Sequence, residues 1–252
     1  MSGGGPRLRM FAGPNGSGKS TLKSYLPKML LGIYINPDEI EAAIRENGFL
    51  DFSQYGITTT ADTVRPFFAA SSLLISAGLA DAAKRLYFSE GRLVFTHVRV
   101  NSYFASVASD FLQRHLLDQR TSFTLETVMS HPSKVKLLAE AQARGYRTYL
   151  YYVATDDPAI NIARVKTRVA LGGHDVPEDR ISDRYYRSLD LLMEAIRHTT
   201  RAYIFDNSGE NQAGRHVWVA EITDARRLQL KSDQIPQWFL RSLIENPPTP
   251  EP

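Results

Sequence analysis

The sequence predicts a three-layer α/β/α fold, with helices on both faces of a mostly parallel sheet and one helical insertion. Three observations carry that reading. Short apolar, strand-like runs alternate with single amphipathic helices, an order that builds parallel sheets through right-handed crossovers. A glycine-rich segment, Gly13-Pro14-Asn15-Gly16-Ser17-Gly18-Lys19-Ser20-Thr21, lies between the first such run and the first helix. The 252 residues are 43% hydrophobic and contain no cysteine, enough for a sizeable core that no disulfide staples.

In chain order, Leu8–Ala12 is an apolar run stopped by Gly13 and reads as a buried strand, followed by a helix over Lys19–Leu30. Gly32–Ile35 reads as a second strand and Asp38–Glu46 as a second helix, opened by a D-x-x-E capping box of Asp38 and Glu41. Residues 47–100 fit the alternation worst and read as an insertion, with a helical stretch at Val64–Leu86 and a strand-like Leu93–Val98. Asn101–Gln119 repeats apolar residues at helical spacing, and Ser122–Met129 is a strand. His131–Arg144 is a helix stopped by Gly145, and Tyr146–Thr155 is a strand rich in Tyr, Leu and Val. Helices at Ala159–Leu171 and Glu178–Thr200 are separated by Gly172-Gly173. A strand at Ala202–Phe205 is closed by Asp206-Asn207-Ser208-Gly209, and Val217–Ile222 and Gln237–Ile244 supply a last strand and helix. Residues 1–245 are thus expected to form a single domain, with a disordered proline-rich tail at 246–252.

Composition removes several classes. Without cysteine there is no thiolate metal site and no cysteine nucleophile. No run of about 18 apolar residues spans a membrane, and the N-terminus lacks the apolar stretch of a signal peptide, so a cytoplasmic protein is expected. The net charge of +3 hints at nucleic acid until it is located. Residues 1–30 hold five cations and no acid, leaving residues 31–252 at −2. That is not the broad basic face of a nucleic-acid binder, and no nucleic-acid partner is expected.

The basic opening segment holds the strongest motif. Gly13 to Thr21 matches G-x-x-x-x-G-K-[ST], the phosphate loop of P-loop NTPases. Its glycines let successive N–H groups turn inward around a phosphate, Lys19 reaches the outer phosphates, and the Ser20 hydroxyl suits Mg²⁺. The helix dipole behind the loop favours the same anion. ATP and Mg²⁺ are the expected cofactors. There is no LSGGQ-like transporter signature and no N-K-x-D guanine-reading motif, which leaves a kinase as the leading class. A regulatory ATPase and a polynucleotide end kinase are the alternatives.

Phosphoryl transfer needs charge neutralisation more than covalent chemistry. Arg164 and Arg168 share one helix face, and Arg180, Arg184 and Arg187 share a face of the next helix. With the Gly172-Gly173 hinge and His174 between them, residues 164–187 resemble a lid. Salt bridging to Asp175, Glu178, Asp179 and Asp183 is the plainer account of the same arginines. At the ends of strands, where parallel sheets bind ligands, stand Asn36 and Asp38, and then Glu126 and Thr127. Asp38 is the candidate base for an acceptor hydroxyl; Glu126 and Thr127 are candidates for substrate or for Mg²⁺ through water. The histidines show no metal spacing.

The segments AGPNGSGKST, INPDEI, LETVMSH, GYRTYLYYVAT, RVKTRVALGGHDVPEDRISDRYYRSL and YIFDNS together resemble the zeta-toxin-like family of small P-loop kinases, over residues 8–45 and 101–209. That resemblance implies an ATP-dependent kinase whose acceptor is the sugar of UDP-N-acetylglucosamine, poisoning cell-wall synthesis and restrained by an antitoxin. It implies roles for Lys19 in the loop, Asp38 as the acid of the N-x-D motif, Glu126 and Thr127 as its E-T pair, and Arg164, Arg168 and Arg184 as lid arginines. Residues 47–100 fall outside it, in the stretch where an acceptor is expected to bind.

Overall fold

The computed structural model describes residues 5–173, 175–209 and 216–245. The first half of the chain forms β1 (Arg7–Ala12), α1 (Lys19–Ser24), α2 (Lys28–Leu31), β2 (Ile33–Ile35), α3 (Pro37–Asn47), β3 (Phe49–Asp51), α4 (Ala61–Ala69), α5 (Ser72–Ser76), α6 (Ala80–Lys84), β4 (Tyr87–Ser89), β5 (Arg92–Val94) and α7 (Ser102–Asp118). The second half forms β6 (Phe123–Thr127), α8 (Ser133–Ala143), β7 (Arg147–Ala154), α9 (Pro158–Ala170), α10 (Glu178–Asp190), α11 (Leu192–Arg197), β8 (Arg201–Asp206), β9 (Val217–Thr223), β10 (Arg227–Leu230) and α12 (Gln237–Glu245). Two compact units result, one of residues 1–32 with 124–252, the other Ile33–Phe123. The segment expected as an insertion, 47–100, lies inside the second unit. No helix among the described residues is long and apolar enough to cross a membrane.

In the first unit the strands follow the order β10-β9-β8-β7-β1-β6. β1 pairs parallel with β7, and β7 parallel with β8, while β9 and β10 add on antiparallel. The expected mostly parallel sheet is therefore present. Alternation along β7 decides what each face meets: Leu150 and Tyr152 are fully buried, whereas Tyr149 and Tyr151 are half-buried. Tyr152 hydrogen-bonds Ser188 of α10 at 3.0 Å and packs on Trp238 of α12. On the opposite face α1, α2 and the link between them lay Leu22, Leu31 and Leu26 against Phe11, Tyr151, Val153 and Phe205. Fully burying a side chain such as Phe11 or Leu22 contributes roughly 1.5–3 kcal/mol.

The second unit is built on a β3-β5-β4 antiparallel sheet, helices α3 and α7, and a cluster of phenylalanines. Phe111 is its hub, with ring centroids 5.3 Å from Phe52 and 5.1 Å from Phe67.

Several boundaries differ from expectation for identifiable reasons. The helix expected over Lys19–Leu30 is two, because Pro27 lacks an N–H and disfavours helical backbone before it. Val64–Leu86 is three short helices, interrupted at Ala70-Ser71 and again at Gly78, whose φ is +71°. Glu178–Thr200 breaks at Leu191, and the strand expected at Leu93–Val98 is Arg92–Val94. The cap of α3 is Asn36, whose side chain accepts the N–H of Asp38 at 2.9 Å, so the D-x-x-E capping box does not form. Glu41 instead pairs with Arg45 at 2.5 Å. The tail at 246–252 and His174 lie outside the described residues.

Candidate active site

The phosphate loop follows β1 and leads into α1, as the motif requires. Its backbone is possible only with glycine at the turns. Gly13 has φ +139°, and a Cβ there would stand 2.0 Å from the carbonyl oxygen of Val153. Gly16 has φ +74°, and its Cβ would meet the Asn161 carbonyl oxygen at 2.6 Å. Substitution at either position would strain the backbone and collide with main chain that cannot move aside.

Inside the loop, the buried Lys19 ammonium donates to the carbonyls of Gly13 at 2.8 Å and Pro14 at 2.9 Å. Ser20, the next residue, is exposed and donates its hydroxyl to Glu126 Oε1 at 2.9 Å. Glu126 lies near the end of β6, and its side chain is largely buried. Thr127, which follows it, spends its hydroxyl on the N–H of Met129, a residue with φ +54°. The strand thus terminates in a tight turn that holds the carboxylate beside the loop serine.

Three residues that sequence reasoning passed over hold the loop from outside. Asn161 of α9 donates to the Asn15 carbonyl at 2.5 Å, and its own oxygen accepts from Thr155. Asn207, just after β8, donates to the Ser17 carbonyl at 2.8 Å. His216 Nε2 lies 3.0 Å from the Gly18 carbonyl. These bonds engage the carbonyls of Asn15, Ser17 and Gly18, while the Ser17 N–H closes a turn on the Pro14 carbonyl at 3.3 Å.

Arg164 is half-buried on α9, with one terminal nitrogen 3.4 Å from the Gly209 carbonyl. Burial draws its guanidinium below its ordinary pKa, and the Asp206 carboxylate works against that shift. Asp206 is itself engaged, accepting from Trp238 Nε1 at 2.8 Å and from the Ser208 hydroxyl at 2.7 Å. Those bonds build the turn that closes β8. Arg168 is exposed near the end of the same helix, and Gly173 packs its backbone against the Arg168 side chain. Val165, Val176 and Ile181 join α9 to α10 through a small apolar cluster, and Lys166 bridges to Glu178 at 2.7 Å. Arg184 is half-buried on α10, whereas Arg187 is paired with Asp183. The salt-bridged account therefore holds for Arg187.

Lys19, Ser20, Glu126, Thr127, Arg164, Arg168 and Arg184 all belong to the first unit. Asn36 and Asp38 belong to the second, where Asn36 caps α3 and the Asp38 side chain is exposed. Among the described residues no group of three or more His, Asp or Glu side chains forms a metal cluster. Mg²⁺ at a nucleotide does not require one, since it takes one or two protein oxygens and completes its shell with phosphate and water. Ser20 and Glu126 supply hard oxygens of that kind. The buried Ser17 hydroxyl, the Asn15 side-chain oxygen and Arg164 Nη1 have no hydrogen-bond partner, and the serine hydroxyl and the arginine fit a bound anion.

A glycine-rich loop between the first strand of a mostly parallel sheet and the following helix, with its lysine turned inward, defines a P-loop protein. The comparisons narrow the class. The Zeta toxin family model matches residues 94–213, a little under half of the chain. That span begins downstream of the phosphate loop and takes in Glu126, Thr127, Arg164, Arg168 and Arg184. Over that span the chain is similar to the Zeta toxin family. An uncharacterized protein of Haemophilus influenzae is 33% identical over 69 residues, which cover 27% of this chain and 49% of that protein. The crystal structure of AvrRxo1-ORF1:-ORF2 with ATP has a TM-score of 0.53 at 16% identity, covering 91% of this chain and 61% of that one. The same pair with sulphate ions has a TM-score of 0.53 at 14% identity, covering 91% and 62%. At these identities the likeness is one of fold. The chain spans about half the length of the curated relative it matches and about three-fifths of these structural neighbours.

Proposed function

We propose that the chain is an ATP-dependent phosphotransferase that moves the γ-phosphoryl group to a hydroxyl of a small molecule. The acceptor implied by the zeta-toxin resemblance is a nucleotide sugar such as UDP-N-acetylglucosamine. The observation that carries the reading is the Ser20 hydroxyl against Glu126 at 2.9 Å, beside a loop whose lysine already points inward. Bound ATP with Mg²⁺ supplies the transferable phosphoryl group and the charge that polarises it.

The chain's own residues divide the remaining work. The loop from Gly13 to Gly18, with Thr21 behind it, and Lys19 bind the phosphates. Ser20 and Glu126 hold the cation, directly or through water. Arg164 and Arg168 offset negative charge that develops on the transferred group, and desolvated cations are worth most in that role. Asp38 takes the acceptor's proton, with Asn36, Thr127 and Arg184 on the acceptor. That the AvrRxo1-ORF1:-ORF2 pair was crystallised with ATP supports the donor and a protein partner; that such a partner would be an antitoxin is what the zeta-toxin resemblance implies.

The test is incubation of the purified chain with γ-labelled ATP, Mg²⁺ and a metabolite extract, followed by mass identification of labelled products. A phosphorylated small molecule is expected, lost about a thousandfold in Lys19→Ala while the circular dichroism spectrum is unchanged. ATP consumption without any phosphorylated acceptor would instead favour a regulatory ATPase. Label transferred to an added oligonucleotide would favour an end kinase.

A further inference from the structure

The two faces of the first unit's sheet are covered unequally. One carries Leu150 and Tyr152 under helices that include α10 and α12. On the other, among the described residues, α1 and α2 cover the end of the strands nearest the phosphate loop. The remainder of that face carries arginines and tyrosines on β1, β7 and β8, with Glu221, Thr223, Arg227 and Gln229 on β9 and β10. The strand register sets Arg9 beside Tyr149 and Tyr149 beside Arg201, then continues through Thr223 to Arg227. Arginines on alternate strands recur about every 10 Å across the sheet.

The charge on this face is poorly compensated from within. Arg9 is 8% exposed, its guanidinium lying 5.6 Å from the centre of the Tyr149 ring and hydrogen-bonded to the Tyr151 hydroxyl. Among the described residues no carboxylate pairs with Arg9, Arg147 or Arg227. The acid in the neighbouring row, Glu221, is shared between Arg201 at 3.4 Å and Lys231 at 3.5 Å. A guanidinium this buried without a counter-charge is costly, and an incoming carboxylate would relieve that cost.

We infer that this face is a docking surface for an acidic helix of a partner protein, laid across the strands. The spacing suits a helix, since residues seven apart are separated by about 10.5 Å along its axis. A single nucleic-acid strand fits less well, because it needs free ring faces for its bases. Here the faces are already used: Phe11 stacks on Tyr151 at 4.7 Å and Tyr151 on Tyr203 at 4.9 Å. Tyrosine and arginine are also the residues that concentrate binding energy at protein interfaces.

The test measures fluorescence anisotropy of three labelled probes with the full chain at about 50 mM salt. One is a helical peptide of about 21 residues with glutamates at i, i+7 and i+14. The second has the same composition with its glutamates spread around the helix, and the third is an oligothymidine. The first peptide is expected to bind best, and Arg201→Glu with Arg227→Glu to weaken it at least tenfold. Lys84→Glu, in the second unit, should bind it as the unaltered chain does. Should the double variant fail to fold, as judged by its melting curve, Arg147→Glu alone takes its place. Equal binding of the two peptides, tighter binding of the oligothymidine, no loss in the variants, or no binding of any probe overturns the proposal.

Discussion

Ser20 and Glu126, 106 positions apart in sequence, meet through a 2.9 Å hydrogen bond from the serine hydroxyl to the glutamate carboxylate. The loop fixes the serine and the Thr127–Met129 turn fixes the end of the strand carrying the glutamate, so neither side chain has to search for the other. In the proposed reaction this pair holds the cation. Glu126→Gln preserves shape and hydrogen bonding but removes the charge. Phosphoryl transfer is expected to fall about a hundredfold or more, with part of the loss recovered at high Mg²⁺. Transfer rates titrated against Mg²⁺ decide the matter; an unchanged rate at every concentration would remove Glu126 from the site.

The outward tethers of the loop make a separate prediction. Asn207→Ala removes the donor to the Ser17 carbonyl, and Asn161→Ala removes the donor to the Asn15 carbonyl together with an acceptor of the Thr155 hydroxyl. Each lost bond leaves a buried polar group unsatisfied, at about 1–3 kcal/mol. For a chain of this size that lowers the melting temperature by roughly 2–10 °C. ATP affinity, read by calorimetry, should fall more than in a surface alanine variant of equal stability. Normal affinity in both variants would make the tethers structural only.

How much of this was legible beforehand depended on sequence distance. The phosphate loop is local: nine consecutive residues dictate its backbone, so the motif, the strand before it and the helix after it could be read directly. Glu126 was reachable because parallel sheets present ligands at strand ends. Asn161, Asn207 and His216 were not, since each reaches the loop across 146 to 198 positions and each looks locally like a helix, turn or surface residue. The nearest signal was the Asp206–Gly209 turn, which announces a strand end but not what its asparagine touches. β10 escaped for a different reason: all four of its residues are exposed, so no alternation marks it.

The aromatic stack across the sheet ties stability to alkaline pH. Burial first, and the neighbouring Tyr203, push the Tyr151 hydroxyl up from 10.0 to about 12, with Arg9 opposing them. A folded-state pKa above the unfolded one means the fold favours the protonated phenol. That contribution, about 2–3 kcal/mol, is complete below pH 10 and is lost as pH rises toward 12. Urea denaturation at pH 9 and pH 11.5 should show a smaller loss in Tyr151→Phe than in the unaltered chain. Identical losses would place the alkaline sensitivity elsewhere.

Asp38 permits a sharper test because its structural and chemical duties separate. The cap of α3 is made by the side chain of Asn36, which accepts the Asp38 N–H at 2.9 Å, so the Asp38 carboxyl is not needed as the cap. Near the first turn of that helix it gains only the modest favour a dipole gives an exposed anion, about 0.3–1 kcal/mol. Asp38→Asn should therefore leave the melting temperature within a few degrees of the unaltered chain. If the carboxylate takes the acceptor's proton, the same change should cut kcat about a hundredfold and leave the Kd for ATP unchanged. Asn36→Ala makes the complementary change, weakening the cap by about 1 kcal/mol while retaining the carboxylate. With acceptor saturating, so that a lost Asn36 contact to it is read in KM, a variant pair in which Asn36→Ala impairs kcat as severely as Asp38→Asn would mean that the start of α3, and not a base at Asp38, is what the reaction requires.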